Sequence, residues 1–315
     1  MDLNEILRAE HRIRPFIRET PLESAAYLND ISGASVYFKL ENLQHTGSFK
    51  ARGALNKLLS LTPEQRERGV VAASSGNHGA AVAFGMRRLG IRGKIFVPED
   101  ASPAKISAIR RLDAEVELNG PDCVVTEKYA RQFADENCMI YLSPYNDPQV
   151  IAGQGTIAVE LHRQLEQIDE VFIALGGGGM ISGIAVYLKA VLGSVKIIGC
   201  SPENSPVMSQ SVKAGRILDM ESLPTFSDGT AGGVEADAIT FPLCQQYVDE
   251  FVEVSEKEII DAFRQFLEHQ HLLVEGAAAV PIAAFLKNKS ASKDKTAVII
   301  LCGANIGLAD LKAVL

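Results

Sequence analysis

The chain has 315 residues, 47% of them hydrophobic and 22% charged, with a formal charge of −8. That length points to two lobes or one large α/β unit, and that composition excludes global disorder. An acidic chain with no long Lys/Arg run is a poor match to nucleic acid or to an anionic membrane, so neither is expected as a partner. The five cysteines, at 123, 138, 200, 244 and 302, are odd in number and include no CxxC pair, which argues against a disulfide framework or a structural zinc site. Met1 to Glu19 alternates in charge and holds no apolar segment, unlike a signal peptide or membrane anchor, and a cytoplasmic location is expected.

In chain order, Ser48-Phe49-Lys50-Ala51-Arg52-Gly53 opens a helical pattern in which Ala54, Leu55, Leu58 and Leu59 are apolar, with Ser48 as its N-cap. Strand-like Val70 to Ala73 precedes helix-period Ala80 to Leu89. Lys94 to Val97 precedes Ala104 to Leu112, and Ala114 to Leu118 precedes Val124 to Ala134. Val171 to Leu175 precedes Ile184 to Leu192, and Lys196 to Cys200 and Ala297 to Leu301 are strand-like again. Strand, turn and helix in repetition predict βαβ units, hence mostly parallel sheets flanked by helices. Ligands of such sheets lie at the carboxyl ends of the strands. Three of those ends are crowded with small and polar residues: Ser74-Ser75-Gly76-Asn77-His78-Gly79, Gly176-Gly177-Gly178-Gly179, and Cys302-Gly303-Ala304-Asn305.

Lys50 falls in the first turn of its helix, where the helix dipole disfavours a cation. It reads either as a solvated surface lysine or as an amine that must lose its charge easily to form a Schiff base, and spacing alone does not decide. Gly176 to Gly179 follow a strand and lead into a helix expected to begin near Ser182. Uncrowded backbone N–H groups at a helix start bind a phosphate dianion, although a glycine run is also simply a tight turn. The run does not fit a dinucleotide fingerprint, because the acidic residue expected about 20 residues on is missing: position 199 is Gly and position 200 is Cys.

Taken together, these segments resemble the serine/threonine dehydratase and serine racemase group of fold type II pyridoxal-phosphate enzymes. The resemblance runs almost end to end, from Thr20-Pro21-Leu22 to Cys302-Gly303-Ala304-Asn305. It is carried by Lys39-Leu40-Glu41-Asn42-Leu43-Gln44, Thr46-Gly47-Ser48-Phe49-Lys50, Ser75-Gly76-Asn77-His78, Ile151-Ala152-Gly153-Gln154-Gly155-Thr156 and the four glycines. It implies a tryptophan synthase β-like α/β fold in two lobes. A large cofactor-binding domain would comprise 1–67 and 148–315, and a small mobile domain 68–147. It implies pyridoxal 5'-phosphate held as an imine by Lys50, which would later act as the base at Cα. Phe49 would pack beside the cofactor, Asn77 would hydrogen-bond the pyridoxal 3-oxygen, Gly176 to Gly179 would hold the phosphate, and Cys302 would face the pyridine nitrogen. Ser74, Ser75, Gly76, Asn77 and His78 would hold the substrate carboxylate. The expected activity is a lyase that takes L-threonine, L-serine or a related 3-hydroxy amino acid to a 2-keto acid and ammonia, and the resemblance implies a homodimer. A racemase, or a dehydratase of a specialised substrate such as 3-hydroxyaspartate, is the alternative.

Several residues depart from the group's pattern. Cys302 stands where many relatives place Ser, and either would be a neutral partner to the ring nitrogen. Ser75 matches the second acid/base serine of the racemases, where many dehydratases carry Ala. The positions of a Glu and an Asp that hold a divalent metal in some members fall on Ser201 and Val207, so no metal is expected. Asp228-Gly229-Thr230-Ala231-Gly232-Gly233-Val234-Glu235 is unusually rich in Gly, and Tyr145 and Thr230 are candidates to lie near the substrate. Glu275 reads equally as a residue beside the cofactor ring or as an acidic first-turn residue of its helix. His269 and His271 read as surface residues, His78 as a loop-orienting residue, and Arg52 as facing the lysine or as an exposed ion pair.

Overall fold

A computed structural model describes residues 1–315. The fold is α/β, with ten strands in two sheets flanked by helices. The strands are β1 (Leu22–Ser24), β2 (Ser35–Lys39), β3 (Val70–Ala73), β4 (Gly93–Val97), β5 (Glu115–Leu118), β6 (Ile140–Tyr141), β7 (Glu170–Ala174), β8 (Lys196–Pro202), β9 (Glu250–Val254) and β10 (Thr296–Ile300). The larger sheet has the order β1-β2-β10-β7-β8-β9, and only the β1–β2 pair is antiparallel. The smaller sheet, β5-β4-β3-β6, is wholly parallel. No helix is long and apolar enough to cross a membrane.

The six strands expected from apolar runs appear within two residues of their expected ends. Burial explains the clearest of them: β7 is buried at every position, and from Val171 to Ala174 it is continuously apolar, as a strand covered on both faces tends to be, while its buried first residue, Glu170, pairs with Lys295. The four strands that the pattern leaves out lack that mark. β6 has two residues and β1 has three, mostly exposed. β2 ends in Lys39, and β9 carries Glu250 and Glu253, which pair with Lys196 and Lys213.

One core lies against the larger sheet and includes Phe38, Phe172, Phe263, Phe266 and Phe285. A second lies against the smaller sheet and takes in Ala54, Leu58 and Leu61 from the Lys50–Ser60 helix and its exit. Leu55 on another face of that helix packs with Ile13 and Ile17, so the helix that starts at Lys50 is held on two faces.

Its position is fixed further by a buried ionic network. Arg52 is fully buried. Its Nε and Nη2 donate to the two Glu41 oxygens at 2.7 Å each, and its Nη1 and Nη2 to the two Glu160 oxygens at 2.9 Å each. Lys39 Nζ donates to Glu160 Oε2 at 2.6 Å, to the Thr20 carbonyl and to Gln164. Thr20 donates its hydroxyl to Glu41 at 2.6 Å and its N–H to Glu160 at 3.1 Å. Arg52 is thus neither a partner of Lys50 nor an exposed ion pair, as its sequence context had suggested. The two buried carboxylates require two buried cations, and Lys39 supplies the second. The ion pairs outweigh burial: Arg52 is held above the ordinary guanidinium range, and Glu160, beside Arg52 and Lys39, below the usual carboxylate range.

Removing one member of such a network strands the others in a dry interior. Arg52→Met is expected to destabilise the protein by about 3–5 kcal/mol, seen as a Tm lowered by roughly 5–10 °C in a calorimetric scan. A Tm within a degree of the parent would contradict the stabilising role given to the network.

Candidate active site

In the larger sheet the chain runs β7, β8, β9 outward in one direction and then places β10 on the other side of β7. In the smaller sheet it runs β3, β4, β5 and then places β6 on the other side of β3. Each sheet therefore has a crevice at its carboxyl edge where the winding reverses, between β7 and β10 and between β3 and β6. Such crevices are where doubly wound sheets bind ligands. Gly176 to Gly179 follow β7, Cys302 follows β10, and the Ser74 to His78 loop follows β3. Chain topology alone thus gathers the three unusual segments at the two switch points.

Lys50 is the first residue of the Lys50–Ser60 helix and Phe49 is its cap. Ser48 does not cap it. Its backbone is extended and bridged to Gly303, the helix starts one residue later, and the buried Ser48 hydroxyl finds no partner. The Phe49 N–H donates to the Cys302 carbonyl at 3.0 Å, which ties the lysine's turn to the end of β10. Lys50 Nζ donates to the Pro144 carbonyl at 2.9 Å and lies 5.2 Å from the Phe49 ring centre. Burial lowers its pKa to about 8, with Cys302 and Glu275 opposing the shift. An amine so placed is a far better nucleophile and base near neutral pH than a surface lysine.

The glycine segment is built for close approach. A Cβ at Gly177 would lie 2.5 Å from the Tyr145 ring, and one at Gly176 would lie 2.9 Å from the Thr230 carbonyl oxygen. Gly178 has φ +84°, a left-handed conformation that favours glycine, and it begins the helix Gly179–Leu192 without any side-chain cap. That helix therefore starts three residues before Ser182, the start expected from the sequence. Full burial of its first two turns overrides the poor helix propensity of glycine at 179. The consequence is an uncapped helix N-terminus, with its free N–H groups, directly at the loop. Thr240 closes the other side by donating its hydroxyl to the Gly177 carbonyl at 2.7 Å.

The loop after β3 ends in a second uncapped helix, Asn77–Leu89. Ser74 Oγ accepts the Gly76 N–H at 3.1 Å, which shapes the turn containing Ser75. His78 is buried and its Nε2 donates to the Leu142 carbonyl at 2.8 Å, spanning the β3–β6 crevice. Burial and then the nearby Lys50 charge lower its pKa to about 3, so it stays neutral near neutral pH. The Asn77 amide donates to Glu275 at 2.8 and 3.0 Å.

Glu275 precedes the helix Gly276–Asn288 but does not cap it. Its buried carboxylate turns into the cleft and also accepts from the Asn305 N–H at 3.0 Å and from the Cys302 thiol at 3.8 Å. Burial raises its pKa against those donors, and burial with the neighbouring Glu275 pushes the Cys302 thiol well up, so the thiol stays protonated. Lys50, Phe49, Asn77, His78, Glu275 and Cys302 therefore meet in one place. The glycines join them through Tyr145, which follows Pro144 in the chain and lies on Gly177. Thr230 is the other wall of the loop, while His269, stacked on Tyr27, and His271 are exposed and remote from it. Pro144, Gly303 and Asn305 also border this site. Pro144 acts through a backbone carbonyl and gives no side-chain signal, whereas Asn305 sat in a motif already noted.

The donor set fits a phosphate-bearing aldehyde cofactor. It offers an uncapped helix start with glycines that any side chain would block, a partly buried amine, and a neutral thiol at a strand end. The family model described as pyridoxal-phosphate dependent enzyme matches residues 13–303. The L-threonine ammonia-lyase of Thermotoga maritima is 41% identical over 304 residues, covering 96% of this chain and 75% of that protein. The catabolic L-threonine dehydratase of Staphylococcus aureus is 39% identical over 319 residues, covering 100% of this chain and 92% of that one. Among solved structures, maize serine racemase superposes with a TM-score of 0.94 at 32% identity, covering 99% of this chain and 96% of that one.

The depressed His78 pKa fixes a sign for stability against pH. Between about 6.5, the unfolded value, and about 3, the unfolded chain binds a proton that the folded chain refuses. Stability held by neutral His78 is complete above that window and is lost as pH falls through it. Between pH 7 and pH 5 the protein is expected to lose more unfolding free energy than His78→Gln, which keeps a donor for Leu142. Equal losses in denaturant titrations would contradict this.

Proposed function

Because the chain belongs to the pyridoxal-phosphate dependent enzyme family, its cofactor is pyridoxal 5'-phosphate, and we propose that it is an ammonia-lyase taking L-threonine, L-serine or a closely related 3-hydroxy amino acid to a 2-keto acid and ammonia. The observation that carries this reading is Lys50, a partly buried amine with its pKa lowered to about 8, set at a strand-end crevice opposite a glycine cradle. The activities for which the Thermotoga and Staphylococcus relatives are named support it.

When bound, the cofactor supplies an electron-accepting ring that stabilises negative charge at the substrate Cα. In this reading Lys50 would be its attachment point, and Lys50 Nζ would be the base that takes the Cα proton. Gly176 to Gly179 would hold the phosphate by backbone N–H groups, Phe49 would pack beside the ring, and Asn77 would donate to the ring's 3-oxygen. Cys302 would face the ring nitrogen as a neutral thiol and so would place no permanent charge there. A moderate electron sink of this kind suits elimination. Ser74, Ser75, Gly76, Asn77 and His78, at the uncapped start of the Asn77–Leu89 helix, hold the substrate carboxylate. Loss of the Cα proton and of the 3-hydroxyl as water leaves an enamine, which hydrolyses to the keto acid and ammonia.

We take residues 68–147 as a small lobe that closes over the substrate and excludes water. Two ion pairs from this span to the Gly-rich segment support it: Lys105 to Asp228 at 3.0 Å and Arg131 to Glu235 at 2.8 Å. The enzyme is taken to be a cytoplasmic homodimer acting on a free amino acid, and a mass measured by sedimentation at working concentration tests the dimer.

A racemase is the second reading, favoured by Ser75 and by the likeness to maize serine racemase. A panel of L-threonine, L-serine, their D forms and 3-hydroxyaspartate separates these readings, the last included because the Gly-rich 228–235 segment borders the cradle at Thr230. Keto acid from a 3-hydroxy amino acid is expected, with Lys50→Ala slower by more than about 10³-fold. Ser75→Ala is expected to lose any inversion at Cα far more than it slows keto-acid release, a difference read by measuring both products. Inversion without keto acid would overturn the lyase in favour of the racemase.

A further inference from the structure

A chain of hydrogen bonds at the mouth of the cleft has only one possible direction. At one end stands the Thr46 carbonyl, a pure acceptor, which receives Asn305 Nδ2 at 2.8 Å. This fixes which end of the Asn305 amide is nitrogen. The same Nδ2 donates to Asn77 Oδ1. This in turn fixes the Asn77 amide with its nitrogen away from Asn305. At the other end Asn77 Nδ2 donates to the Glu275 carboxylate, again an acceptor. Reversing either amide would set oxygen against oxygen at one or both of its contacts.

Two further features hold Asn305 in place. Its own N–H donates to Glu275 Oε2 at 3.0 Å, so it is anchored at both ends. Its Oδ1 rests on Gly47, where a Cβ would approach to 3.0 Å; Gly47 has φ +73° and leaves that space open. The neighbouring Ala304 N–H donates to the Gly47 carbonyl at 2.9 Å, which holds the 45–47 turn against the strand end. Thr46 itself has φ +61°, so its carbonyl is aimed by a turn that the rest of the loop enforces.

We propose that Asn305 is a positioning residue that orients the Asn77 amide so that its N–H face, and never its carbonyl, is turned toward the cofactor. The proposal rests on the assignment of Asn77 to the cofactor's 3-oxygen made above. That oxygen carries negative charge or shares a proton, so an amide donor stabilises it and an amide carbonyl repels it. Asn305 exerts this control without touching the cofactor, through Asn77 alone. Glu275 shares the task from the other side, as the acceptor that completes the chain.

The test is a double-mutant cycle on the holoenzyme with Asn77→Ala and Asn305→Asp, read by the cofactor dissociation constant and by the visible absorption maximum of bound cofactor. Asn305→Asp keeps the shape but removes both donations and sets a carboxylate against Asn77 Oδ1, so that only Glu275 still favours the original orientation of the Asn77 amide. Each single variant is expected to weaken cofactor binding by about tenfold and to shift the absorption maximum. The double variant is expected to be no worse than Asn77→Ala alone, because Asn305 acts only through Asn77. Losses that add, or an Asn305→Asp protein with the parent's affinity and spectrum, would overturn the proposal. Asn305→Ala, which adds no charge, runs in the same cycle and decides the matter if the Asp variant does not fold. A parent protein that binds no pyridoxal phosphate would instead sink the cofactor assignment itself, an outcome visible before any variant is made.

Discussion

The site depends first on Arg52. It lies two residues after Lys50 in the same helix and is held by four hydrogen bonds to the carboxylates of Glu41 and Glu160. Glu41 follows β2 and Glu160 lies in the Pro148–Gln164 helix, so a single guanidinium fixes the lysine's helix against two other elements. Planar bidentate pairing has narrow geometric tolerance, which is what a reactive amine needs from its support. A hydrophobic contact of the same area would hold the helix less specifically in rotation. The structure thus sets a fully paired ionic network two residues from the reactive lysine and leaves Lys50 and Glu275 as the charged groups of the cleft.

Within the cleft the same economy of charge recurs. Burial lowers Lys50, depresses His78 and raises Glu275 and Cys302, so each group is driven toward its neutral form or is held by donors. His78 serves as a spacer between β3 and β6 rather than as an acid, and Cys302 as a protonated thiol rather than a nucleophile. Glu275 is the exception that Asn77, Asn305 and Cys302 surround with donors. The neutral surroundings leave Lys50 as the one group poised to take or give a proton near neutral pH.

Much of this was legible in the sequence because parallel strands buried on both faces are continuously apolar, and because the strand ends carry residues that a packed loop would not choose. β7 and its four glycines are the clearest case. The short or charged strands were hidden: β6 has no length to show a period, and β2 ends in a lysine whose burial makes sense only once Glu160 is in place. Arg52 was ambiguous for the same reason, since its partners stand 11 and 108 residues away along the chain. The helix starts at Gly179 rather than near Ser182 because burial of its first two turns overrides the poor helix propensity of glycine, and that burial has no mark in the local sequence. The roles of Asn305 and the Pro144 carbonyl emerge only from three-dimensional neighbours, although Asn305 belonged to a segment already marked out by its composition.

The most direct test of this account is to reduce the coloured holoenzyme with borohydride, digest it and map the peptides by mass spectrometry. A pyridoxyl group on Lys50, and on no other lysine, is the predicted result. A pyridoxyl group on a different lysine, or none in a protein that still turns over its substrate, would contradict it.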